Sequence, residues 1–322
     1  MKGGNRMKIT EEVRDAGSIA ISGHIRPDGD CVGSVMGLYL YLKKTLPETE
    51  IDVYLEKPAD IFHCINHIED IKSEININKI YDVFLALDCS DDRLGDARPL
   101  FESARRKINI DHHISNPGCG DLSIVEPERS STAELLYDLM DAEQVDEEIA
   151  TALYIGIIHD TGVLRYSNTS PRTLRIVAEL IKFGFDFSSI IESTFYEKTY
   201  LQTQIMGRAI LESVRFMHDK CIVSMVSRRM MEFYQVTPGD LDGIVNQLQT
   251  VRGVECAIFM YETGTLEYKV SLRSNGRVDV ASVAMKFGGG GHVRAAGCTM
   301  NGTYHDNINN LSIEIAEQLD ME

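Results

Sequence analysis

From residue 18 onward, short apolar runs alternate with longer stretches whose apolar positions recur every three or four residues. Residues 18–22, 51–55, 81–87 and 107–110 read as strands, because they are brief, apolar and bounded by polar turn residues. Residues 32–44, 131–141 and 147–159 read as helices, the second opening on Ser130-Ser131-Thr132 with Glu134 behind it, an N-capping pattern. Alternating strands and helices predict an α/β domain, a mostly parallel sheet flanked by helices. At Asp160-Thr161-Gly162 the glycine is expected to stop the third helix and leave Asp160 in a loop.

A further helical pattern covers 171–183, and the mixed stretch 186–211 reads as a connector. Beyond it, 221–226, 255–261 and 266–272 are β-like, with Glu262-Thr263-Gly264 as a hairpin turn between the last two. Helical patterns at 238–250 and 309–319 complete a smaller α+β region. A chain of 322 residues is too long for one comfortable core. The expected division is a first domain at 1–190, a helical linker at 191–211 and a second domain at 212–322.

In parallel sheets, functional groups gather at the carboxyl ends of the strands. There this chain places His24 after the first strand, Asp88 after the third, and Asp111-His112-His113 after the fourth. Pro27 excludes a strand and Gly29 permits a tight path, so His24-Ile25-Arg26-Pro27-Asp28-Gly29-Asp30 reads as a turn presenting His24, Asp28 and Asp30. The same aspartates could also cap the following helix. Several carboxylates at one sheet edge cannot all stay ionised near neutral pH without cations, and divalent metals are the economical answer. Imidazole and carboxylate donors without thiolate suit manganese first, with magnesium or cobalt as alternatives. Two such ions point to hydrolysis of a phosphorus ester. Asp111 is placed to orient a metal-binding imidazole through its second nitrogen.

Charge narrows the substrate. The formal net charge of −17 would repel a long polyanion and argues against a broad grip on duplex nucleic acid. Between residues 269 and 294 the balance reverses, with Lys269, Arg273, Arg277, Lys286 and Arg294 against Asp279 alone. The glycine run Gly288–Gly291, followed by His292 and Arg294, could be a flexible turn. With Arg273 and Ser274 upstream it reads better as a phosphate cradle, its members being Arg273, Ser274, Gly289, Gly290, Gly291, His292 and Arg294. The seven scattered cysteines form no C-x-x-C pair and fit reduced thiols. The N-terminus lacks the apolar run of a secretory leader, and no stretch is long and apolar enough to span a bilayer, so a cytoplasmic protein without membrane contact is expected.

Five motifs stand in order along the chain: His24-Ile25-Arg26-Pro27-Asp28-Gly29-Asp30 with Gly33-Ser34, Asp88-Cys89-Ser90, Asp111-His112-His113 with Ser115-Asn116-Pro117, Asp160-Thr161-Gly162, and Gly288–His292 with Ala295-Ala296-Gly297. In them the chain resembles the DHH phosphoesterases with a C-terminal DHH-associated domain, and among these the short bacterial nanoRNase/pAp-phosphatase group. The resemblance implies that His24, Asp28 and Asp88 hold one metal, while Asp30, Asp88, His112 and Asp160 hold the other, with Asp88 as the bridge. It implies that His113 faces the scissile phosphate, its ring pointing away from that of His112 as neighbours on extended chain do. Asp88, His112 and His113 would then be the catalytic residues and Asp111 an orienting one. It also implies a cleft between the domains, with the glycine-rich segment holding the substrate's far end. His159, where a smaller polar residue is expected, and Leu164, at an often aromatic position, depart from the pattern without removing a ligand.

The implied activity is degradation of very short RNA to mononucleotides together with removal of the 3′-phosphate from 3′-phosphoadenosine 5′-phosphate. A phosphodiesterase for cyclic dinucleotides or for linear pApA and pGpG needs the same metals and a different cradle. An exopolyphosphatase-like enzyme and a non-catalytic nucleotide-binding module are the remaining alternatives, the last disfavoured because every expected ligand is present. Expected partners are short nucleotide substrates, and a homodimer is an expected assembly.

Overall fold

The computed structural model describes residues 7–319; the stretch 1–6, part of the N-terminus read above for a leader, lies outside them, as do 320–322. The chain forms two compact units, divided between Glu197 and Lys198. No helix among the described residues is long and apolar enough to cross a membrane.

The first unit is built on a parallel sheet of β1 (Ser18–Ser22), β2 (Glu50–Tyr54), β3 (Ile71–Lys72), β4 (Val83–Leu87), β5 (Arg106–Asp111) and β6 (Leu122–Val125). The strands lie in the order β3-β2-β1-β4-β5-β6. The chain therefore leaves β1 toward one edge, returns, and builds outward from β4 toward the other. Where the order reverses, β1 and β4 lie side by side with their loops diverging, which opens a crevice at their carboxyl ends. The helix Gly29–Thr45 is buried from Gly29 through Leu42 because the helix Glu147–Asp160 packs over it on the side away from the sheet. That contact needs glycine. A Cβ on Gly33 would stand 2.5 Å from the Ala152 carbonyl oxygen and 2.6 Å from the Gly156 nitrogen, both main-chain atoms that cannot swing aside.

On the β2 side, Asp52 is buried between Lys72 and Lys79, at 2.6 Å from each ammonium, and also accepts a hydrogen bond from the Tyr81 hydroxyl. Burial alone would raise its pKa, but these partners outweigh it and hold the carboxyl down to about 2. A pKa depressed on folding adds stability above the unfolded value near 4, and that stability is lost as pH falls toward 2. Asp52→Asn is accordingly expected to destabilise the protein at pH 6 and to cost progressively less below pH 4. Denaturant titrations at pH 6 and pH 2.5 check this, and an equal penalty at both would refute it.

The second unit carries a mixed sheet of β7 (Val214–Phe216), β8 (Cys221–Val226), β9 (Cys256–Gly264), β10 (Glu267–Ser274), β11 (Gly290–His292) and β12 (Ala295–Asn301), in the order β11-β12-β10-β9-β8-β7. Only β8 and β9 run parallel, joined by a crossover that contains the helices Arg228–Tyr234 and Ile244–Gln249. The helix Tyr200–Leu211, placed by sequence in a linker, buries Ile205 and Ala209 in this unit's core. Two expectations need adjusting, and one alternative falls away. The hairpin turn falls at Thr265-Leu266 rather than Glu262–Gly264, because β9 runs on through Gly264 and Leu266 takes the positive φ of 55°. The helix expected at 238–250 is interrupted before Ile244, since Gly243 adopts φ 86°. The glycine run is no flexible turn: Gly290–His292 is the sheet's edge strand.

Candidate metal centre

His24, Asp88 and His112 follow three adjacent strands, so the sheet itself brings them together. Asp28 caps the helix Gly29–Thr45, accepting hydrogen bonds from the backbone N–H groups of Asp30 and Cys31 at 3.1 Å, and stands 3.6 Å from His24 Nε2. Capping and presentation to the histidine are thus one arrangement. Asp30 points from the first turn of that helix. It accepts from the Thr132 and Ala133 N–H groups at 2.7 and 3.0 Å, where the positive end of the helix Thr132–Leu139 faces it, and from the Ser34 hydroxyl at 3.1 Å. Asp160 is the last residue of its helix rather than a loop residue; the helix runs one residue past His159, and Thr161 is the cap. Its carboxylate still reaches 3.6 Å from His112 Nε2.

The two histidines have fixed tautomers. His24 Nδ1 lies 2.9 Å from the Ile25 carbonyl and His112 Nδ1 lies 3.3 Å from the Arg129 carbonyl. A carbonyl oxygen only accepts, so in each neutral ring Nδ1 carries the proton and Nε2 keeps its lone pair. Those lone pairs face carboxylates. His24 Nε2 is 3.5 Å from Asp88 Oδ2, while His112 Nε2 is 3.7 Å from Asp88 Oδ1, 3.8 Å from Asp30 Oδ2 and 3.6 Å from Asp160 Oδ2. These separations exceed the usual hydrogen-bond length of about 3 Å but suit donors converging on a common cation. His112 Nε2 is buried without a hydrogen-bond partner, a costly arrangement for a ring nitrogen unless something else occupies its lone pair. The donor set fits divalent metal.

Electrostatics agree. Burial, reinforced by the neighbouring aspartates, pushes the pKa values of Asp88 and Asp160 well up, and burial also raises Asp30 despite its helix N–H partners. Burial works against protonation of His24, but Asp28 and Asp88 overcome it and raise the ring to about 10. A pocket that drives its carboxylates to hold protons is one that a cation would relieve. Asp88 sits in left-handed backbone, φ 59°, which turns its side chain back into the crevice while its N–H bonds the Ile110 carbonyl.

His113 does not point away from His112. The two ring centroids are 4.6 Å apart, because β5 ends at Asp111 and the backbone no longer alternates beyond it. His113 Nδ1 donates to Asp111 Oδ1 at 2.7 Å and stands 3.6 Å from Asp88 Oδ1. Asp111 therefore orients the ring of His113, whereas His112 is held through its main-chain N–H and by the Arg129 carbonyl. Asn116 in turn donates to Asp111 at 2.6 Å.

Sequence reading missed several supports. Thr132 donates its hydroxyl to Asp88 Oδ1 at 2.9 Å, and Asn168 reaches both the Ser130 and Asp160 carbonyls. The Ser130-Ser131-Thr132 cap was the only signal, and it announced a helix start rather than its target. His159 hydrogen-bonds Thr194 at 3.0 Å and packs edge-on against Phe62 and Phe195, covering Gly29 so closely that a Cβ there would meet the ring at 2.2 Å.

In the second unit, Arg273, Ser274 and Arg294 gather at one end of β10 and β12, beside the β11 edge. Arg273 Nε donates to Asn246 at 3.0 Å, Ser274 is buried with its hydroxyl accepting from the Gly276 N–H, and His292 and Arg294 are exposed. Close approach explains two of the glycines. A Cβ at Gly289 would lie 2.2 Å from the Gly297 oxygen, and one at Gly291, φ 145°, would lie 2.5 Å from the Ala295 oxygen.

Residues 18–157 match the N-terminal domain of the DHH family, and residues 218–320 match the DHHA1 domain. The chain belongs to the DHH family. The bifunctional oligoribonuclease and PAP phosphatase NrnA of Thermus thermophilus is 33% identical over 304 residues, covering 92% of this chain and 89% of that protein. Its counterpart in Bacillus subtilis is 26% identical and covers 88% and 89%. The crystal structure of an exopolyphosphatase-related protein from Bacteroides fragilis superposes on this DHH chain with a TM-score of 0.87 at 25% identity, covering 96% of this chain and 94% of that one.

Proposed function

We propose that this DHH chain is a two-metal phosphoesterase that hydrolyses very short oligoribonucleotides to mononucleotides and removes the 3′-phosphate of 3′-phosphoadenosine 5′-phosphate. One observation carries the reading: the two oxygens of Asp88 face two different histidines, Oδ2 toward His24 and Oδ1 toward His112. A carboxylate so placed is suited to bridge two ions. His24, Asp28 and Asp88 would hold one, and Asp30, Asp88, His112 and Asp160 the other, with manganese preferred for this set of nitrogen and oxygen donors. Bound there, the pair would supply charge stabilisation at phosphorus and activation of water for in-line attack. The protein's share is positioning. The Ile25 and Arg129 carbonyls anchor the Nδ1 side of each ring so that Nε2 is the atom turned toward the carboxylates, Thr132 steadies Asp88, and Asp111 holds His113, whose place beside Asp88 suits contact with the phosphate under attack. The relatives' names support the substrate class. We further propose that Arg273, Gly289, Gly290, Gly291, His292 and Arg294 bind a substrate phosphate, while Ser274, fully buried and accepting from the Gly276 N–H, braces the turn beside them.

A substrate panel in manganese tests the reading: di- to pentaribonucleotides, pApA, pGpG, 3′-phosphoadenosine 5′-phosphate and cyclic dinucleotides. Turnover of the short linear RNAs and the bisphosphate is expected. Turnover confined to cyclic dinucleotides would transfer the assignment to that rival activity, and an inert panel would overturn it. Arg294→Ala is expected to raise KM by about tenfold, the loss of one charged hydrogen bond, while manganese affinity stays constant. An unchanged KM would remove Arg294 from the cradle.

A further inference from the structure

The first metal position has a thiol beside it that the ligand set above does not use. Cys31 Sγ, a nitrogen of His24 and a carboxylate oxygen of Asp88 all lie within 4.8 Å of one another, and all three residues are buried. The sulfur occupies space that only a glycine leaves open: a Cβ on Gly23 would stand 2.3 Å from it. Cys31 lies in the first turn of the helix Gly29–Thr45, one residue past Asp30, where Asp28 anchors its N–H. The side chain is thus positioned from both ends, by the cap below it and by Gly23 above.

Resting on the metal-centre reading, we propose that Cys31 with His24 and Asp88 forms a thiolate-containing site that captures thiophilic divalent ions such as zinc or cadmium, in competition with the harder ion bound through His24, Asp28 and Asp88. Hard ions favour oxygen donors, so manganese takes the Asp28 carboxylate. A soft ion gains more from sulfur and shifts toward Cys31. Three protein donors of nitrogen, sulfur and oxygen type are a normal complement for four-coordinate zinc. On capture the S–H bond breaks, a metal–sulfur bond forms, and one proton is released to solvent. Because both sets share His24 and Asp88, the two ions exclude one another, and the soft ion would sit without the Asp28 ligand.

The test reads the sulfur–metal bond directly. The only exposed cysteine among the described residues, Cys64, is first replaced by serine to remove adventitious binding. Cadmium is then titrated into this protein, into the same protein carrying Cys31→Ser or Cys31→Ala, and into one carrying Cys89→Ser as a buried-thiol control, recording ultraviolet thiolate-to-metal charge transfer. Manganese binding is followed in parallel by electron paramagnetic resonance. The expected result is one thiolate's worth of charge transfer in the Cys64→Ser protein and in the Cys89→Ser variant, none in either Cys31 variant, with cadmium affinity at least tenfold weaker in both. Cadmium should also displace bound manganese. A band that survives in the Cys31 variants, or no band in a protein that binds manganese, overturns the thiolate site while leaving the metal centre standing. Failure to bind either ion overturns both.

Discussion

Asp88→Asn is expected to lower turnover by on the order of 10³-fold or more, the scale of losing a group that stabilises charge only in the reacting complex. Asparagine is the informative substitution. It tolerates the left-handed backbone at this position, φ 59°, and still accepts the Thr132 hydroxyl, so the fold is preserved while the carboxylate's charge is removed. Alanine would confuse the outcome by adding about 1 kcal/mol of backbone strain. Because Asp88 is buried among other carboxylates that push its pKa up, the metal-free Asp88→Asn protein is expected to melt no lower than wild type. Manganese should raise the melting temperature of wild type, by about 2.7 kcal/mol of added stability at a hundredfold excess over its Kd, and should fail to do so in the variant. Turnover within tenfold of wild type would sink the bridging role, and a fall in metal-free stability would show that the residue is mainly structural.

Gly33→Ala is expected to have the largest effect on the scaffold. The added methyl would press on the main chain of the helix Glu147–Asp160, which cannot rotate away, so overpacking should cost about 1–3 kcal/mol or more. The loss would not stay structural. The helix pushed outward carries Asp160, and Gly156 on it lies within 2.9 Å of Asp30, counted from where a Cβ would stand. Separating the helices therefore moves Asp160 away from His112 and Asp30. Melting temperature and manganese affinity should fall together, whereas Asp88→Asn should lower affinity alone. A Gly33→Ala protein with unchanged melting would mean that the helix contact yields more easily than its geometry implies.

The contrast between these variants separates what local pattern reveals from what it does not. The residues of the candidate centre were legible one by one, because each stands where an apolar run ends, and strand ends in a parallel sheet share an edge. Order along the chain sufficed for His24, Asp88 and His112. The same reasoning misplaced Asp160 by one helical residue and turned the ring of His113 the wrong way. Helix ends and strand ends are decided by hydrogen bonds to neighbouring elements, as when Asp111 captures the His113 ring and both following N–H groups. The glycine run was recognisable as a special backbone, but its being an edge strand packed against Ala295–Asn301 was not. Glycines carry no signal that distinguishes a loop from a close approach.

By itself, then, the sequence determined the class of fold, the donor types and their place at the carboxyl edge of the first sheet, since periodicity and punctuation are local properties. Tertiary structure alone decided which nitrogen of each histidine faces the carboxylates, which helix end faces Asp30 and how near the Cys31 thiol stands to His24 and Asp88. Thr132 lies 102 positions from Asp30 and Thr132 to Asp88 spans 44, and no local pattern encodes which distant elements meet. Those meetings follow from burying both faces of one sheet, and the chemistry of the site depends on them.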